Sequence, residues 1–419
     1  AVLKSAVEKS YEDCGWNLNT SRNIYDEEIY PSFADVAEKV REVIDSSEYD
    51  SENKGAYKGS LQTRLTSLAN GLNGMVFVQD EISLAQLFDE NVIIDLSRVG
   101  SMETKSLIMG MLVLKLQEYR MVTADAMNAE IRHLTVLEEA HNLLKRTSAE
   151  QSPEGSNLVG KSVEMLANAI AEMRTYGEGF IIADQAPGLL DMSVIRNTNT
   201  KIIMRLPDLG DRELVGKSAG LNDDQINELF RLPRGVAAVY QNEWIQPILC
   251  KVDRCEINEN PFRYTISEED TRRLEETEVV SKMLLDFIMN RGLSGKNKEM
   301  DVEELKRRVI QSRLSTTVKR EFFDWIKPGN KDAEASLRVL LYDFLEAENA
   351  ILKSQECTNL SEWVHSVADQ LNLSISDYSR RQIDWMMQML INEKTVRDPM
   401  YGNILSSFNE VYRKEGSVF

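Results

Sequence analysis

Two adjacent carboxylates, Glu138 and Glu139, close a short apolar run in the segment Leu134-Thr-Val-Leu-Glu138-Glu139-Ala-His141-Asn-Leu-Leu144. Acids so placed suit metal-assisted hydrolysis, in which one carboxylate holds a hydrated Mg²⁺ while the other orients and deprotonates an attacking water. That chemistry needs the two groups side by side yet differently directed, and a β-strand provides this because successive side chains alternate across it. The run therefore predicts a buried strand that delivers both acids to the carboxyl edge of a parallel sheet, where ligands of open α/β folds lie. A strand leaving any core for a solvated loop looks similar, so the pair takes its meaning from its surroundings.

Those surroundings are Ala171-Glu-Met-Arg174-Thr-Tyr-Gly177-Glu-Gly179-Phe-Ile-Ile-Ala-Asp184-Gln185-Ala-Pro187 and Val194-Ile-Arg196-Asn197-Thr-Asn199-Thr-Lys-Ile-Ile-Met-Arg205-Leu. Together with Leu-Glu-Glu-Ala-His they closely resemble the HerA/FtsK-like ATPases, specifically the HerA-type helicase domain and its relatives among the type IV secretion ATPases. The resemblance is close over roughly residues 91–252, looser back to the first residue, and does not extend past about Cys255. It implies a RecA-like, P-loop-type ATPase sheet, here partial, in which the two-acid strand is the Walker B strand. Glu138 would then hold Mg²⁺ through water, Glu139 would be the general base, and Gln185 the polar sensor of the γ-phosphate or the water. Asp184 and Arg196 would lie on the nucleotide side of the site. Arg174 would reach into the neighbouring subunit's site, where such a finger is worth on the order of 10³ to 10⁵ in rate. A surface ion pair is the competing role for Arg174, a turn cap for Gln185, and a supporting role is expected for His141.

The same resemblance implies ATP and Mg²⁺ as cofactors, a homo-oligomeric and hexameric ring, duplex DNA in the pore, and a nuclease or phage-defence effector as partner. Two other readings stay open: an ATPase-like scaffold that regulates an effector without hydrolysis, and a secretion motor of the type IV branch. The first acid is Glu where many P-loop enzymes carry Asp, and its longer side chain still reaches a metal through water.

The elements that must position these groups follow from apolar periodicity. Residues 91–96 read as a strand, 103–119 as a long helix and 132–137 as the two-acid strand, which together form a crossover unit of a parallel sheet. Asp95 could line the same edge, although a structural or solvated role suits it equally. Residues 162–176 read as a helix ending at Gly177, and 180–183 as the strand that presents Asp184 and Gln185. The segment 197–205 leads into another strand, and helices opened by Asp208 and at 221–230 with a hairpin of 236–241 and 244–252 complete the motor and close the sheet.

One motif is a decoy. Gly155-Ser-Asn-Leu-Val-Gly160-Lys161-Ser162 satisfies the G-x-x-x-x-G-K-[ST] pattern, but a polar loop spanning residues 145–155 precedes it rather than a strand, so its amides would not be aimed at phosphate. It reads as the opening of an ordinary helix. The family's phosphate loop would then be expected upstream of Ala1, in keeping with a chain that opens inside an amphipathic helix without a start methionine.

The expected organisation is α/β with a helical lead-in and a C-terminal all-α domain: residues 1–90 associated with the motor, 91–253 the ATPase core, and 254–419 the appendage. In the lead-in, Ser32 is the expected cap of a helix carrying Phe33, Val36, Val40 and Val43, and in the appendage Trp325, Trp363 and Trp385 are the expected core. Bulk properties agree, since 419 residues with 42% hydrophobic and 28% charged content suffice for two or three soluble domains. A net charge of −19 argues against a broad DNA-coating surface, though a narrow pore needs only a few local cations. Neither a secretory leader nor a membrane-spanning stretch is visible, and four cysteines form no disulfide or zinc framework, so a reducing cytoplasm is expected. His133, His141 and His365 are not at metal-ligand spacing, and no zinc site is expected.

Overall fold

The computed structural model describes residues 2–25, 27–78, 81–146, 158–256, 268–294, 302–357, 359–373 and 377–419. Its contacts divide into two units: Ile82–Phe262, which carries the two-acid strand, and Ala1–Glu81 together with Arg263–Phe419.

The first of these begins with α1 (Leu84–Phe88) and α2 (Met102–Thr123), the latter capped by Ser101, whose hydroxyl accepts from the Thr104 amide. Strand β1 (His133–Glu138) follows, then α3 (Leu158–Met173) and β2 (Glu178–Ala183). β1 and β2 pair in parallel from His133↔Glu178 to Glu138↔Ala183. One face of this pair packs into a core containing Val113 and Leu116 from α2, Leu137 from β1, and Leu166, Ala167 and Met173 from α3. The other face, with Leu134, Val136 and Ile181, is about half exposed. Gly177 takes φ 83°, and a Cβ there would sit 2.5 Å from the Glu130 carbonyl, so only glycine lets the chain turn from the end of α3 into β2.

After β2 come α4 (Met192–Asn197), β3 (Thr200–Ile203), α5 (Leu209–Ser218), α6 (Asp223–Glu228), β4 (Val236–Gln241) and β5 (Ile248–Lys251). Asp208 caps α5, and Asn222 with Gln225 forms a capping box on α6. β3, β4 and β5 make an antiparallel sheet of their own, in that order. The sequence reading joined these strands to the two-acid strand. Instead the hairpin partner of β4 lies close in sequence, and β3 adds to the hairpin's free edge with Thr200 opposite Gln241. The hairpin's second strand starts at Ile248, four residues later than expected, after a connection through residues 242–247 that ends at Pro247.

Residues 91–96, expected to be a strand beside β1, take no regular secondary structure and join no ladder among the described residues. Without a neighbour to cover them their side chains stand in solvent, with Ile93 96% exposed, and Asp95 accepts a hydrogen bond from the Ser97 amide at 2.8 Å. Residues 147–157, which include most of the polar loop and the start of the decoy motif, lie outside the described residues. The remainder of that motif is the first turn of α3, as the sequence reading expected.

In the second unit, helices Val2–Asp13 and Phe33–Ser46 pack through Ala6, Val36, Val40 and Ile44, and Ser32 with Asp35 forms the capping box at the start of the latter. The sequence reading attached residues 1–90 to the motor. Cys14 and Ile29 instead enter the core of the C-terminal helices, and Tyr25 donates to Asp324 at 2.8 Å. That core holds Trp325 and Trp363, with Trp385 packed against it. Helices Thr316–Ile326, Ala347–Lys353 and Gly402–Glu415 were not expected from periodicity. No described helix is long and apolar enough to cross a membrane.

Candidate active site at the parallel strand tips

Because β1 and β2 end together at Glu138↔Ala183, the residues that follow each strand emerge side by side. Glu139 leaves β1 in the left-handed conformation, φ 50° and ψ 46°, and the chain turns at once into the short helix Ala140–Asn142. A side chain in that conformation costs about 1–2 kcal/mol, and such strain persists where the surroundings over-determine it. Here Ala140 and Leu144 are fully buried and anchor the turn.

Across from it, Gln185 Nε2 donates to Glu139 Oε1 at 2.6 Å. The Asp184 side chain is only 3% exposed. Its Oδ1 accepts from the Ala186 amide at 2.9 Å, while its Oδ2 accepts from the His141 amide and lies against His141 Nδ1, both at 2.9 Å. Glu139 Oε2 stands 3.6 Å from the same ring nitrogen. The loops beyond the two tips are joined as well: Arg146 donates its amide to the Leu189 carbonyl at 2.7 Å, and Asp191 to Leu144 at 2.9 Å.

At the opposite end of the pair a buried ionic cluster holds the register. Glu178, its side chain fully buried, accepts from Arg120 Nε at 2.8 Å and Thr135 Oγ1 at 2.7 Å, and lies 2.8 Å from His133 Nδ1. Arg120 also donates to Asp89 at 2.7 Å. Burial works against the Arg120 charge, but Asp89 and Glu178 more than offset it and leave the guanidinium's pKa raised. A slip of one residue would expose Glu178 and turn every side chain of β2 to the opposite face, so this cluster specifies where Asp184 and Gln185 emerge. Sequence reading missed it, although an acid opening an apolar run was the available signal.

The strand tips therefore bring Glu139, Gln185, Asp184 and His141 together. Glu138, the last residue of β1, is exposed, and among the described residues no hydrogen bond or ion pair reaches its carboxylate. Three carboxylates thus share one edge with no Lys or Arg ion-paired to them among the described residues, a balance suited to a cation. Glu139, His141 and Asp184 each offer a ligand atom within 4.8 Å of the others. Histidine spacing along the chain gave no hint of this, because Asp184 reaches the group only through strand pairing.

Arg174 is not brought to this edge, and no hydrogen bond or ion pair links Arg196 to it among the described residues. Arg174 is exposed in the turn Arg174–Tyr176 before β2, so the whole strand, about 17 Å at the usual rise, separates it from Asp184. Arg196 is exposed in the last turn of α4. Neither has an ion-pair partner among the described residues.

Residues at the carboxyl ends of parallel strands, with an acid and an amide in contact, define an α/β protein with a candidate ligand edge. Two curated relatives are similar to part of the chain. The chain is 30% identical over 155 residues to the DNA double-strand break repair helicase HerA of Sulfolobus acidocaldarius, covering 37% of this chain and 29% of that protein. It is 27% identical over 124 residues to the protein of the same description from Sulfurisphaera tokodaii, covering 29% and 23%. Over the matched part the chain is homologous to the HerA/FtsK-type ATPases, and that part spans less than a third of the length of these relatives. Among solved structures, VirB4 of Thermoanaerobacter pseudethanolicus aligns with a TM-score of 0.39 and 15% identity, covering 60% of this chain and 63% of that one. No protein-family profile matches the chain.

Proposed function

We propose that this chain forms the Walker B side of an ATP-hydrolysing motor that works on duplex DNA as a ring of like subunits. The observation that carries the reading is the contact between Glu139 and Gln185 across the tips of neighbouring parallel strands. With Oε1 committed to the amide, Glu139 keeps Oε2 as the proton acceptor for water, and Gln185 keeps its carbonyl oxygen to orient that water. The homologous stretch in HerA proteins, described as DNA repair helicases, supports the motor and the DNA.

The donor set fits a Mg²⁺-nucleotide in part: carboxylates without cationic partners suit the metal, and Glu138 would hold it through water. A glycine-rich phosphate cradle behind a strand is not found among the described residues. When bound, the ion would polarise the terminal phosphate. Arg174, exposed and far from its own strand tips, is free to serve a neighbouring subunit. An effector such as a nuclease would dock on the helical unit.

The test is steady-state ATPase activity of the full-length protein beside Glu139→Gln. Loss of a general base predicts a fall of about 10² or more. Equal rates in the two proteins would sink the hydrolytic reading and favour a scaffold. Binding to duplex DNA should weaken steeply with salt, as phosphate contacts release counterions.

A further inference from the structure

We propose that Asp184 and His141 form a tie that holds Glu139 in place, which makes both of them positioning residues rather than nucleotide contacts. The inference rests on the hydrolytic reading of the site and revises the role of Asp184 within it. A carboxylate offers about four acceptor positions. Asp184 has three in use, to the Ala186 amide, the His141 amide and the His141 ring, and its side chain is 3% exposed. Little of it remains to meet a ligand.

The tie grips His141 twice, through the backbone and through Nδ1, and so fixes the residue two places after Glu139. Since Nδ1 faces a carboxylate, the ring carries its proton there. With Ala140 buried and His141 held just beyond it, the backbone at Glu139 is kept in the left-handed turn it adopts. Charge-assisted hydrogen bonds are strong enough to sustain one strained residue. Released from the tie, Glu139 relaxes to an ordinary conformation and swings its carboxylate away from Gln185. Catalytic groups misplaced by about 1 Å lose on the order of 10² in rate.

The experiment compares Asp184→Ala, His141→Ala, His141→Asn and His141→Gln in the full-length protein, by ATPase kinetics and by hydrogen exchange of residues 139–144. Asn places its amide where the His Nδ1 stands, whereas Gln places it near Nε2. The two Ala variants should lose roughly 10- to 100-fold in kcat with KM for ATP held within about twofold. The exchange of 139–144 should speed up in both while their melting temperatures stay near that of the parent. His141→Asn should recover most of the rate, and His141→Gln should not. A rise in KM at unchanged kcat would make Asp184 a ligand contact, and better rescue by Gln would assign the chemistry to Nε2; either overturns the tie. Unchanged exchange in Asp184→Ala overturns it even if the parent protein proves inactive, so the two readings fail separately.

Discussion

The left-handed backbone at Glu139 can be tested by its effect on stability, through the pair Glu139→Gly and Glu139→Ala. Both substitutions delete the carboxylate and its contact with Gln185, so their difference isolates the backbone. At ordinary positions Gly is less stable than Ala by about 0.5–1 kcal/mol, because it loses more conformational freedom on folding. At φ 50° the Cβ costs about 1–2 kcal/mol, which reverses the order. The Gly variant should therefore be the more stable by about 0.5–1 kcal/mol. In a unit of this size that is roughly 1–4 °C in Tm. Urea titrations read by hydrogen exchange on peptides from β1 and β2 follow this unit alone, as the two units need not unfold together. Both variants should be inactive. If Ala is the more stable, Glu139 is not held left-handed in solution, and the account of how the site is positioned fails with it.

Arg120→Met strands a fully buried Glu178 carboxylate and should cost about 3–5 kcal/mol in urea unfolding, whereas adding Glu178→Met should restore more than half of it; a single variant as stable as the double would remove the cluster's role. Burial, and then the nearby Asp343, push the Glu321 carboxyl up to about 8. Its folded pKa lies above the unfolded one, so the stability it contributes is complete below about pH 4.5, declines with rising pH, and is lost above about pH 8. Glu321→Gln should flatten the fall in Tm over that window, and an unchanged slope would refute the assignment. Arg174→Ala and Glu139→Gln should each be inactive alone. Mixed one to one in a ring, they should regain about a quarter of the parental ATPase, because one interface in four pairs an intact Glu139 with a neighbour's intact Arg174; no recovery would exclude action between subunits.

Much of the local structure was legible in the chain itself. The apolar run ending at Glu138, the helical spacing of Val36 and Val40, and the caps at Ser32 and Asp208 are near-neighbour patterns, and the structure places a strand, helices and caps there, although one face of that strand is half exposed rather than buried. The segment at 91–96 has the composition of a strand yet stays unpaired, because a strand exists only through the ladder another segment supplies. The lead-in was misassigned for a similar reason: its two helices cover one another's apolar faces, and nothing in the segment between them names the C-terminal helices, some 270 residues away, as the core that Cys14 and Ile29 enter.

For the site, residue types and spacing marked the acid pair Glu138 and Glu139, and the family resemblance of the surrounding motifs marked Gln185. What the tertiary structure decided was their company. Parallel pairing in one register sets Asp184 against His141 across 43 positions of sequence and leaves Arg174 at the far end of its strand. Periodicity is written between neighbours, whereas register is chosen by the buried Glu178 cluster and the core beneath the sheet, and no spacing along the chain records that choice.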